Sequence, residues 1–419
     1  MSHLDLPARA CRWGTTRLAS QAAVRTAAMQ GPYARASPYR LRVRRLLSGA
    51  PRRAPPRQGG SLRATAGVSC GGAARARCAA MQTRSRRRFD DALLHAVKRG
   101  DADAARAALD GGADINCRVP GSSSGDTALH IAAANGSVEC VQVLLDHGAA
   151  VNCTTLVRKW TPLHLASAQG HVACLRMLLD RGALPDSGDT EGWTPLFLAA
   201  IEDNTECLQL LVQRGASTNG VATLHEGRKL HMSGSPLYYA AEAGNLAAMQ
   251  LLLDSGAEVD ARNLTADLTA LHRAAKSGHA SCARSLLEHG ACVDAQDGKG
   301  FSPLCYAVVC GSTECVELLL DHGSALSQSD DLTTPLHLAA MEGNIACARL
   351  LLGRGASPYT AFKGAQPIHL AAACDRLDFV RLLLELGVPA TSANDINMTP
   401  LHFTALNKTG GVALAQLLI

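Results

Sequence analysis

The chain has 419 residues, 4% of them aromatic and 18% charged, with 38 glycines and a formal net charge of +5. So few aromatic residues among so much Gly and Ala argue against one thick globular core and favour thin stacked modules. No apolar run reaches the ~18 residues that a membrane-spanning helix needs.

The charge is divided sharply. Met1 to Arg88 holds 19 Arg, no Lys and one acid, Asp5, for a net +18, while the remainder holds 22 basic and 35 acidic residues, a net −13. With Pro, Gly, Ser and Arg but no sustained periodicity, residues 1–88 bury too little apolar surface to offset chain ordering and are expected to form a disordered basic leader. Three readings stay open for it. Its composition suits a mitochondrial transit peptide, although Pro7 interrupts the first amphipathic stretch. Arg40-Leu41-Arg42-Val43-Arg44-Arg45 and Arg84-Ser85-Arg86-Arg87-Arg88 suit nuclear import or nucleic-acid contact. A solvated leader upstream of a start at Met81 is the third.

From Phe89 onward the chain repeats. In Thr161-Pro162-Leu163-His164-Leu165-Ala166-Ser167-Ala168-Gln169-Gly170, Thr161 suits a helix cap, Pro162 suits the first turn and Gly170 suits a left-handed stop. Leu178-Leu179 and Gly182 then mark a second short helix with its own stop. Taking Pro162 as reference, equivalent residues are Ala92, Ala128, Pro162, Pro195, Pro236, Ala270, Pro303, Pro335, Pro367 and Pro400, at intervals of 36, 34, 33, 41, 34, 33, 32, 32 and 33. Gly112, Gly148, Gly182, Gly215, Gly256, Gly290, Gly323, Gly355 and Gly387 each lie twenty residues after their reference.

Thr-Pro-Leu-His, a small pair, a glycine, a Leu pair and Gly-Ala at a period of ~33 resemble the ankyrin repeat. The resemblance covers residues 89–419 as about ten repeats. It implies an all-α solenoid of helix-turn-helix modules with hairpin loops. The first module, which lacks the signature, is expected to cap the stack.

Several strings along the modules look chemical and are read as structural. Gly121-x-Ser123-x-Gly125 matches a nucleophile elbow but lacks the strand before it and the helix after it that this chemistry needs. His130, His164, His272, His337, His369 and His402 sit two residues after their references. The resemblance makes this slot structural, the imidazole joining nearby backbone and the Thr hydroxyl to link neighbouring modules. Phe197, Tyr238 and Cys305 replace it elsewhere, so a stripe of metal ligands is not expected. His225-Glu226 with His231 has a spacing of six where a zinc helix needs four. No catalytic, cofactor or metal residue is assigned, and the chain is not expected to be an enzyme.

Cys140, Cys174, Cys207, Cys282, Cys315 and Cys347 lie twelve residues after their references, with Ala248 and Phe379 in the same place, as an apolar packing slot would have it. Reduced buried thiols point to an intracellular compartment, cytoplasmic, nuclear or both. In that setting the sequon at Asn407-Lys408-Thr409 means little. The interval of 41 brackets an insertion, Ser217 to Ser233, whose Arg228 and Lys229 are candidate contact residues because loops carry function more often than cores do.

The resemblance places recognition on a concave face of hairpin tips and first helices. Two residues before the references lie Trp160, Trp193, Leu268, Phe301 and Met398. Six and seven after them lie Ile201, Glu202, Glu242, Lys276, Met341 and Glu342. This apolar and aromatic band is either an interface or packing against the next hairpin. The last module stops at Leu417-Leu418-Ile419 without Gly or cap, which is expected of a fragment, a truncated form or a covered end. The leading expectation is a non-enzymatic scaffold or adaptor that binds a partner protein and no small-molecule substrate. Nucleic acid would enter only through the leader. The alternative is a substrate receptor of a cullin-type ubiquitin ligase, because ankyrin and SOCS-box proteins carry similar Cys-bearing repeats, as at Thr313-Glu314-Cys315-Val316, before a C-terminal box.

Overall fold

The computed structural model describes residues 87–120, 122, 124–226, 229–327, 333–405 and 411–419. Most of the leader, the Gly121 and Ser123 of the elbow string, Arg228 and the sequon at 407–409 lie outside the described residues. The side chain of Lys229 does too.

Each reference residue from the second module on is the first residue of a helix. These first helices are Ala128–Asn135, Pro162–Gln169, Pro195–Glu202, Pro236–Ala243, Ala270–Ser277, Pro303–Cys310, Pro335–Glu342, Pro367–Ala373 and Pro400–Ala405. Pro fits there because the first turn has no partner for its missing N–H. Second helices start ten residues later, at Val138–Asp146, Val172–Asp180, Thr205–Gln213, Leu246–Asp254, Ala280–Glu288, Thr313–Asp321, Ile345–Gly353 and Leu377–Glu385, and twelve residues later in the last module, at Val412–Leu418. The first module pairs helical residues 87–99 with Ala102–Asp110. The glycines twenty residues after the references all have positive φ, from 82° to 96°. That conformation turns the chain out of the second helix at no steric cost.

The described residues divide into two compact units. One runs to Pro236 and includes Asp254–Ala257; the other holds Leu237–Leu253 and Glu258–Ile419. In both, the core is a row of identical slots. Leu144, Leu178, Leu211, Leu252, Leu286, Leu319, Leu351 and Leu383, all sixteen residues after a reference, have no exposed surface. Each contributes roughly 1.5–3 kcal/mol of apolar burial. No helix is long and apolar enough to cross a membrane among the described residues.

The phased cysteines fill the slot expected of them. Cys140, Cys174, Cys207, Cys282, Cys315 and Cys347 are at most 1% exposed, and burial pushes the thiols of Cys140, Cys174, Cys207, Cys315 and Cys347 up, Cys207 to about 12. No disulfide joins the described cysteines, whereas Cys292 and Cys310 are exposed. Since the thiolate is the reacting form, alkylation of the native protein should reach Cys292 roughly 100-fold faster than the six phased thiols, whose reaction waits on local opening, with Cys310, whose thiol burial also pushes up, in between. Peptide mass mapping of a timed alkylation checks this, and uniform labelling would contradict the packing.

The insertion adds the one departure from helix among the named elements. Ala222–Glu226 and Lys229–Gly234 pair as an antiparallel ribbon, Ala222 opposite Gly234 and Glu226 opposite Lys229, with a bulge between Leu224 and His225.

Candidate partner-binding face

Five first helices are tied to the hairpin that follows by the histidine two residues after the reference, His130, His164, His272, His337 and His369. In the unit ending at Pro236, the His164 Nδ1 accepts from the Thr161 N–H at 3.1 Å and lies 2.8 Å from the Thr161 hydroxyl. Its Nε2 is 3.0 Å from the Trp193 carbonyl of the next module. A ring that accepts from a backbone amide at one nitrogen must donate from the other, so the ring is neutral with its proton on Nε2. His130 repeats this with Thr127 and the Trp160 carbonyl, 2.9 Å away. In the second unit His272 reaches the Phe301 carbonyl at 3.0 Å and His337 the Ala365 carbonyl at 3.1 Å. Burial holds the rings of His164, His272 and His337 down to about 4.

Four hairpin tips are closed by one acid or amide each, and the tip before Trp160 by the Thr155 hydroxyl, which accepts from the Trp160 N–H at 3.0 Å. Asp189 Oδ1 accepts from the N–H groups of Glu191 and Trp193, and its Oδ2 accepts from the Trp160 indole at 2.9 Å. Asp297 does the same for Lys299 and Phe301, while Asn263 serves Ala266 and Leu268, and Asn394 serves Ile396 and Met398.

This geometry answers the question the sequence left open about the aromatic band. Trp160 is 6% exposed, Trp193 5%, Leu268 7%, Phe301 0% and Met398 8%. Trp160 stacks on His164 with centroids 6.4 Å apart, and Trp193 tilts against Phe197 at 5.7 Å. Ile201 and Met341, expected along a groove, are buried as well. Of the two readings of this band, interface or packing against the next hairpin, the burial of these side chains favours packing. Half-buried at the last turns of the first helices are Glu202, Lys276 and Glu342, the candidates within reach of a partner.

The module whose histidine is replaced by Tyr238 makes its tie differently. The Tyr238 hydroxyl accepts from Arg273 Nε at 2.6 Å and from Asn263 Nδ2 at 3.3 Å, and the guanidinium carbon lies 5.0 Å from the ring centroid. Arg273 also pairs with the buried Glu242, 3.5 Å between Nη2 and Oε1. The other carboxylate oxygen, Oε2, is buried and has no hydrogen-bond partner. Burial raises the Glu242 carboxyl above its usual range, against the pull of Arg273 and Lys276. Glu242 was expected at the surface and is instead half of a buried ion pair.

One set of residues escaped the sequence reading, the polar side chain nine residues after each reference. Asn204 Nδ2 donates to the Ser167 carbonyl at 2.8 Å, Asn344 Nδ2 to Val308 at 2.6 Å, and Arg376 Nε to Met341 at 2.9 Å. Each satisfies carbonyls left over at the end of the preceding module's first helix. A polar residue recurring at one phase, just after the glycine stop, is the signal that could have found them.

Helix pairs stapled to the next pair by histidine or tyrosine, with no group of three metal-ligating side chains among the described residues, define a helical repeat protein built from nearest-neighbour contacts. Models described as "Ankyrin repeats (3 copies)" match residues 77–155, 93–189, 149–222, 185–263, 221–297, 237–330, 293–361 and 336–419, and the chain belongs to the ankyrin-repeat family, whose repeats are protein-interaction modules. Among solved structures, the crystal structure of the human ASB11 ankyrin repeat domain is similar at 28% identity with a TM-score of 0.48, over 56% of this chain and 99% of that one. Comparison with curated proteins gives no match.

Proposed function

We propose that the protein is an adaptor that holds a partner protein against the last turns of its first helices. The observation that supports this reading is the contrast along those turns. The bulky apolar residues are consumed in packing, while Glu202 in one unit and Lys276 and Glu342 in the other stay within reach on a backbone fixed by the histidine ties. Polar groups held by a rigid scaffold are suited to selecting a partner, because little ordering entropy is lost on binding.

Affinity capture from lysate with the full chain, compared with a Glu202→Arg, Glu342→Arg double variant and an Arg284→Glu, Glu317→Arg variant on the second helices, tests the face. Partners should be lost about ten-fold or more with the first variant and retained with the second; the reverse pattern would move recognition to the second helices. A second reading, the ligase substrate receptor, is supported by the Cys-bearing second helix Thr313–Asp321. Elongin or cullin subunits in the same capture would favour it.

A further inference from the structure

The last turn of Ala270–Ser277 carries a cation that the fold leaves without an acid. Lys276 is half-buried, its Nζ 5.8 Å from the centroid of the Tyr306 ring, and no carboxylate pairs with it among the described residues. The neighbouring acids are engaged elsewhere, although Glu242 attracts Lys276 from beyond ion-pair range and keeps one carboxylate oxygen without a hydrogen bond among the described residues. Glu242 is taken by Arg273 at 3.5 Å, and Asp297 accepts from the Tyr306 hydroxyl at 2.7 Å and from two backbone amides. The exposed Lys299 on the next hairpin is close enough to lower the proton affinity of Lys276, and it too has no ion-pair partner there. Two cations therefore converge on one spot of a repeat region whose net charge is −13.

A half-buried ammonium costs free energy that a paired one recovers, and an aromatic ring beneath it repays only part. Burial, with repulsion from Arg273 and against the pull of Glu242, lowers Lys276 to about 8. The geometry points to Lys276, seated on Tyr306 and flanked by Lys299, as the anchor for an aspartate or glutamate side chain of a bound protein segment. The buried ring holds Lys276 in place, and Lys299 at the rim draws the acid in. This inference rests on the adaptor reading of the same face and names the chemistry of what the face takes.

The test uses the full chain and a randomised twelve-residue peptide library displayed on phage. Selected peptides should share an Asp or Glu at one position. A synthetic peptide of the enriched sequence should lose about ten-fold or more of its affinity for Lys276→Glu and keep most of it for Lys276→Arg. Cys310, whose Sγ contacts the Ala275 carbonyl at 3.6 Å beside Lys276, should be shielded from alkylation by the bound peptide while Cys292 is not. Peptides without a shared acid, or equal binding to Lys276→Glu, would overturn the assignment. Loss of binding with Glu342→Arg but not with Lys276→Glu would keep the face and overturn the anchor. Binding indifferent to both variants would overturn the face itself.

Discussion

Replacing Trp160 and Trp193 together by Ala is expected to lower the thermal midpoint of the unit ending at Pro236 by more than about 10 °C, with a cooperative loss of helical signal. Truncating one buried large aromatic ring costs roughly 3–5 kcal/mol, and a domain of this size loses about 2–4 °C per kcal/mol. More than apolar area is removed. The Trp160 indole is the donor to Asp189 Oδ2, and the Trp160 and Trp193 carbonyls sit on loops that receive His130 and His164. Trp160→Ala removes the indole bond to Asp189, while Trp193→Ala keeps its backbone amide on the same carboxylate, so the two substitutions act within one network and their costs need not add. Circular dichroism against temperature for the two single variants and the double decides it. A double variant that melts within about 2 °C of the native chain and merely fails to capture a partner would mean that the rings serve recognition.

Those tryptophans also show how far the sequence could be read. The phase of Pro162 and its equivalents was enough to locate every first helix from the second module on. The phase of Gly182 located the left-handed exits of the second helices from Gly112 to Gly387, since both features are set by local backbone chemistry that a residue carries wherever it goes. Which way Trp160 and Trp193 face is not local. It depends on Asp189 reaching four residues ahead to the Trp193 amide and back to the preceding module's ring. Spacing did hold a clue, for Asp189, Asp297 and Asn394 each stand four residues before a bulky residue, and Asn263 five. The ribbon of the insertion was hidden for another reason. Ala222-Thr223-Leu224-His225 and Lys229-Leu230-His231-Met232-Ser233 do alternate apolar and polar residues, the pattern from which a strand is read, but the runs are short and lie inside a helical repeat whose phase masks them. The pairing of Arg273 with Tyr238 was hidden because it substitutes a side-chain tie from the next module for one within the repeat signature.

The histidine ties make a second, larger effect expected as the pH falls. In the folded chain His164, His272 and His337 stay neutral down to about 4 because burial disfavours the imidazolium, and the Nδ1 that would take the proton already accepts a hydrogen bond from the module's own cap at His164 and His272. In the unfolded chain each ring binds its proton near 6.5. Below that value the unfolded state holds more protons than the folded one, so stability is complete above about pH 6.5 and declines as the pH drops towards about 4. A shift of this size amounts to roughly 3 kcal/mol for each ring once the decline is complete, and His130 and His369 are moved in the same direction, burial being the main cause. Against a typical stability of about 5–15 kcal/mol, that is enough to unfold both units before most carboxylates have titrated. Urea midpoints measured at half-unit steps from pH 7.5 to pH 4.5 should fall steeply below pH 6.5. His272→Gln should start from a lower midpoint in the unit that begins at Leu237 and fall less steeply there, having one proton fewer to take up. A midpoint that stays level to pH 5, or a variant with an unchanged slope, would show that these imidazoles are not held neutral by the stack.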